Sequence, residues 1–168
     1  MLTESEIIDD ILQREGGYVD DPADRGGATN HGITLETFRQ WRNNPHLTKN
    51  DLMGLDIHEA RKIYRKKYID EPGISLIPDD RVRAQVADYG VNSGPRTAIK
   101  ALQRVIGVKA DGYIGPVTQA ALRRFGYIRA NNLLVRERCL HYARIMNHDH
   151  GQARFAEGWI RRAFEFLV

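Results

Sequence analysis

The feature that most limits the fold of this chain is its punctuation. Glycines and prolines recur at short intervals and cut an otherwise helical pattern into pieces. Thr3 and Glu6 form a capping box ahead of Ile7, Ile8, Ile11 and Leu12, whose spacing writes one apolar helical face. Gly16-Gly17 ends that helix. Thr34 starts another that carries Phe38 and Trp41, and Asp56 with Glu59 repeats the capping-box pattern before Ala60, Ile63, Tyr64 and Tyr68. The stretch DEPGISLIPD (70–79) connects to a helix expected from about Asp80 to Asn92. Gly94-Pro95 and Gly115-Pro116 open two more, proline being suited to a first helical turn. Helical stretches around 128–147 and 153–166 complete the chain. Only the glycine-rich segment before Ile33 leaves room for a short hairpin. The expected fold is therefore mainly α, with short helices packed in two lobes.

Composition fits that outline. Of 168 residues, 42% are hydrophobic, enough for a core, and 28% are charged. The single cysteine, Cys139, makes no internal disulfide, so packing alone must hold the fold. The opening MLTESEIIDD lacks the basic region and apolar core of a signal peptide. Charge is uneven: from Ala121 onward nine arginines face four acids, against a net charge of +3 for the whole. Such a stretch reads as a solvated helical surface or as a surface drawn to a polyanion, either a bacterial wall or a nucleic acid.

The chemistry concentrates in REGGYVDDPADRGGATNHGIT (14–34). Glu15 falls where the first helix runs out. A helix C-terminus and partial burial both disfavour an ionised carboxyl group, and a carboxyl kept neutral is what a general acid requires. Glycoside cleavage uses such an acid together with a second carboxylate. Asp20, Asp21 and Asp24 are the local choices for the second, and Thr29 offers a hydroxyl to hold a water. The same residues also suit an exposed helix end followed by turns.

This segment resembles the signature of the Glu-Gly-Gly-Tyr lysozymes, the N-acetylmuramidases of glycoside hydrolase family 108, found among phage endolysins and secretion-associated muramidases. The resemblance runs along essentially the whole chain and implies a lysozyme-like fold with Glu15 as catalytic acid. The order Glu15, Asp24, Thr29, with gaps of nine and five positions, is also similar to the acid–carboxylate–threonine arrangement of phage lysozymes. By that analogy Asp24 is the second carboxylate and Thr29 orients the water, with Asp20 and Asp21 remaining as alternatives. ADYGVNSGPRTA (87–98) extends the resemblance, and Asn92 there offers an amide to an N-acetyl group or to a helix cap. Tyr18 is the aromatic placed to stack on a sugar ring. ALQRVIGVKADGYIGPVTQAAL (101–122) resembles small helical peptidoglycan-binding modules, with an Asp111-Gly112 turn between two helices.

These readings imply a catalytic lobe over 1–92 and a peptidoglycan-binding-like lobe over 93–168. The implied reaction is hydrolysis of the β-1,4 bond between N-acetylmuramic acid and N-acetylglucosamine, without metal or cofactor. The implied partner is the glycan strand, with a holin or secretion apparatus supplying passage from cytoplasm to wall, and the enzyme is expected as a monomer. A wall-binding protein without turnover is the alternative function. A basic nucleic-acid-binding protein is a further one, and no nucleic acid is expected as partner. Cys139, His141, His148 and His150 do not have the spacing of a closed zinc site.

Overall fold

The computed structural model describes residues 2–20 and 27–168. Two of the second-carboxylate choices, Asp21 and Asp24, lie outside the described residues. The chain forms two compact units, one of residues 3–67 and one of residues 68–168 with the N-terminal end. The division falls inside a π-helical stretch, Arg65–Asp70, upstream of the 92/93 boundary expected from the motifs.

In the first unit, α1 (Glu4–Glu15) begins on the expected capping box: Thr3 and Glu6 each bind the other's backbone N–H. Its face Ile7, Ile8, Ile11 and Leu12 is buried. After α1, an antiparallel hairpin joins β1 (Thr29–Asn30) to β2 (Ile33–Thr34). Thr34 caps α2 (Leu35–Arg42) by accepting from the Thr37 N–H. A further short helix, α3 (Lys49–Met53), starts on a second complete capping box, Thr48 with Asp51. The sequence pattern passes over it because five residues hold too little apolar periodicity to register.

The helix α4 (Ile57–Tyr64) corrects one expectation. Asp56 does cap it, accepting from the backbone of His58 and Glu59, but Glu59 does not reach back to complete a capping box. Its carboxylate instead accepts from the Trp41 indole at 3.0 Å and from Arg42 at 2.6 and 2.7 Å. Two charge-assisted bonds to a guanidinium outbid one backbone N–H. Against α4, α1 packs with Asp9 and Arg61 paired at 2.5 Å and Glu4 and Arg65 at 3.1 Å.

The second unit is helical throughout its described elements: α5 (Asp80–Ser93), α6 (Pro95–Val105), α7 (Pro116–Phe125), α8 (Tyr127–His148) and α9 (Ala156–Phe164). A 3-10 stretch, His150–Phe155, precedes α9. Long α8 touches each of the other four helices. Cys139 and Trp159 pack on the cluster of Val135, Tyr142 and Ala163, and the His141 ring lies 5.8 Å from that of Tyr89.

Through the middle of this unit runs a buried charge network. Arg138 on α8 is fully buried, and its Nη2 donates to Asp88 at 2.6 Å and to the Asn92 side-chain oxygen at 2.9 Å. Its Nε donates to the Tyr142 hydroxyl at 2.6 Å. Arg162 on α9 donates to the same Asp88 carboxylate at 2.9 Å. One acid thus ties α5, α8 and α9 together. Burial pushes the Asp88 carboxyl up, yet the adjoining Arg138 and Arg162 guanidiniums outweigh burial and hold it below the usual carboxylate range.

Replacing Asp88 by Asn strands two guanidiniums together, one of them fully buried. A loss of about 3–5 kcal/mol of unfolding free energy is expected in urea titrations at neutral pH. Because the folded carboxyl titrates below its unfolded value of about 3.9, its stabilisation is present above that pH and fades as pH falls through the folded value. Wild type should therefore lose stability on acidification below about pH 4, and Asp88→Asn should lack that share of the acid sensitivity.

Candidate active site

Glu15 is the last residue of α1 and is half-buried. The backbone then turns away: Gly16 takes φ 74°, a left-handed value open to glycine. Val19, three residues on, exchanges both backbone hydrogen bonds with Thr29 at 2.8 Å. Thr29 therefore stands between two partners, Val19 on one side and Thr34 across the hairpin. The chain that leaves the acid is stitched to the strand carrying the expected water-holding threonine.

The hairpin turn is His31-Gly32, with φ 49° and 71°. Positive φ at both central residues is what a two-residue type I′ turn requires. Asn30 fastens the turn from one side. It is buried, and its amide donates to the carbonyl of Leu52 at 2.9 Å and of Met53 at 3.3 Å, at the end of α3. From the other side, the buried Tyr64 of α4 donates its hydroxyl to the His31 carbonyl at 2.8 Å. The His31 ring nitrogen Nδ1 lies 3.0 Å from the Gly16 carbonyl oxygen.

Gly32 meets the acid directly. A methyl group built on Gly32 would sit 2.9 Å from Oε2 of Glu15, 3.2 Å from its Cβ and 2.6 Å from the Tyr64 hydroxyl. The turn thus lies on the Glu15 carboxyl group with no room for a side chain between them. Beside it, Asp9, Leu12, Gln13, Gly16, His31, Ile57 and Arg61 line a surface groove of about 370 Å³.

The other sequence-derived residues fall as follows. Tyr18 is half-buried on the segment between Gly17 and Val19. Asp20 is engaged by Lys49, whose Nζ binds its two oxygens at 3.0 and 2.9 Å. Asn92 belongs to the other compact unit, exposed on α5, with its side-chain oxygen taken by Arg138. Sequence reasoning did not single out Asn30, Gly32 or Tyr64 at the site. The dipeptide His31-Gly32, a pair that tolerates positive φ, was the available signal for the turn.

In the second unit, a buried glutamine organises the Asp111-Gly112 turn. Gln103 donates to the Asp111 carboxylate at 2.8 Å and to the Tyr113 carbonyl at 2.9 Å, and accepts from the Gly112 N–H at 2.8 Å. The turn presents Tyr113, 63% exposed, with the Arg96 guanidinium 5.0 Å from its ring centre.

Residues 8–94 match the family model described as Glycosyl hydrolase 108. The chain belongs to glycosyl hydrolase family 108. Residues 97–164 match a second model, Predicted Peptidoglycan domain. Among solved structures, this family 108 chain is similar to one titled "Structure of Brucella abortus SagA". The two are 34% identical with a TM-score of 0.82, over 96% of this chain and 90% of that one. No curated protein matches the chain. The family 108 hydrolase is thus a lysozyme-like, mainly α glycoside hydrolase whose substrate is peptidoglycan. Its family segment holds most of α1 with Glu15, the hairpin and α5, whereas the peptidoglycan segment holds the Gln103 turn.

Gly32→Ala tests the close contact. The left-handed backbone alone costs an L-residue roughly 1–2 kcal/mol, and the methyl must also push back a carboxyl oxygen and a buried hydroxyl. Lower thermal stability is expected together with at least a tenfold loss of wall-hydrolysing activity beyond any loss of folded protein. Circular dichroism melts and release of reducing ends from purified peptidoglycan would check both.

Proposed function

We propose that this hydrolase is an N-acetylmuramidase that cuts the β-1,4 bond between N-acetylmuramic acid and N-acetylglucosamine, with Glu15 as the general acid. The carrying observation is the seat of Glu15: half-buried at the end of α1, with its carboxyl group held against the hairpin turn. A carboxyl group fixed in this way protonates the leaving glycosidic oxygen from one side of the sugar. The opposite side needs a second carboxylate. Asp20 is engaged by Lys49, which favours the acids that follow it, and Asp24 is the proposed partner by its position in the motif.

Thr29 then orients a water for attack, as the threonine whose backbone is fixed on both sides. A water between the two carboxyl groups implies inversion at the anomeric carbon. Tyr18 supplies a ring face to the saccharide. No cofactor enters this reaction. The segment 97–164 holds the wall while the acid works, and its arginines suit the carboxylates of the peptide stems.

The enzyme acts as a monomer in this reading. It reaches the wall from the cytoplasm through a holin or a secretion route, in phage lysis or in opening the wall for a secreted protein.

Mass spectrometry of digested sacculi tests the bond: new reducing ends on muramic acid are expected, whereas freed peptides would point to an amidase or peptidase. Glu15→Gln should lower kcat at least a thousandfold while the folded protein still pellets with sacculi. Clearing at the wild-type rate by Glu15→Gln would refute the assignment.

A further inference from the structure

We propose that His31 is a positioning residue for the catalytic acid, an inference that rests on the assignment of Glu15 as proton donor. One residue reaches both flanks of Glu15. Its ring binds the carbonyl of Gly16, the residue that follows the acid, at 3.0 Å. Its own carbonyl accepts from Tyr64 at 2.8 Å, and that hydroxyl occupies the same small space over Gly32 as the Glu15 carboxyl group. Tyr64 is 1% exposed, so its hydroxyl has no solvent to turn to. A carbonyl oxygen accepts and never donates, so Nδ1 carries the hydrogen in this contact.

The backbone makes the choice of histidine informative. Residue 31 has φ 49°, where glycine or asparagine is the easier choice at a type I′ turn. Histidine tolerates that backbone without being required by it, so what it adds to the turn is the ring's bond to the Gly16 carbonyl. The task visible here is a tether across the helix end. Last-turn carbonyls and the residue after them lack helical partners, and the next backbone anchor is at Val19, so the tether fixes the Gly16-Gly17 stretch in between. A displacement of about 1 Å at a reacting group costs on the order of a hundredfold in rate. The tether therefore acts on turnover, by fixing where the proton is delivered.

The test uses the full chain and soluble peptidoglycan fragments. His31→Gly removes the ring but keeps the turn conformation and the carbonyl that receives Tyr64. Its kcat is expected to fall about ten- to a hundredfold, with KM and Tm close to wild type. His31→Asn suits the same backbone and carries an amide donor near the place of Nδ1, so it should recover most of the lost kcat. Wild-type kcat in His31→Gly would overturn the proposal. So would a loss shared equally by His31→Asn, or one that follows a fall in Tm. Glu15→Gln, measured alongside, separates the two ideas: if it is inactive while His31→Gly is fully active, only the tether fails. If Glu15→Gln turns over normally, the acid assignment fails and the tether with it.

Discussion

The contact between the hairpin turn and the Glu15 carboxyl group is the constraint on which the site depends. A carboxyl group at the frayed end of a helix is ordinarily mobile and hydrated. Here the turn covers it, and it can do so only because position 32 has no side chain. The turn in turn needs fixing, and the fixing is polar. Asn30 holds it to α3, Tyr64 holds it to α4, and Thr29 joins it to the segment that follows the acid. Buried polar groups of this kind give little net stability but are costly to leave unpaired, so they select one arrangement over its neighbours.

The second unit uses the same logic on a larger scale. With one cysteine and no disulfide, its helices are fixed by packing and by a few satisfied buried polar side chains. Asp88 does this for α5, α8 and α9, and Gln103 does it for the turn that presents Tyr113. A displaced Asp88 would leave like charges facing each other in the interior. A displaced Gln103 would release a turn in the segment that matches a peptidoglycan domain. The arginine excess that marks this part of the sequence is thus divided: Arg138 and Arg162 serve the interior, while others, such as Arg161 and Arg144, lie on the surface.

Much of the fold was legible because its signals are local. The Thr3–Glu6 capping box, the stop at Gly16-Gly17 and the prolines opening α6 and α7 depend on residues within one turn of each other. So did the extent of α5, expected to about Asn92 and observed to Ser93. What local signals could not reveal is competition. Glu59 has the right spacing for a capping box with Asp56, yet Arg42 and Trp41, distant in sequence, take its carboxylate. Asn92 read as a cap or a sugar contact, and its oxygen is held by an arginine 46 residues away.

For the site, the sequence by itself determined that an acid ends the first helix, that two glycines follow it, and that a threonine-bearing glycine-rich segment lies close behind. Those are consequences of order along the chain and of backbone freedom at glycine. Only the tertiary structure decided what surrounds the acid: the lid formed by Gly32, the hydroxyl of Tyr64 and the two bonds of His31. Residues 15, 32 and 64 carry no mutual pattern in the sequence. Their meeting depends on α1, the hairpin and α4 packing at one depth, which is set by burial of side chains spread over the whole unit.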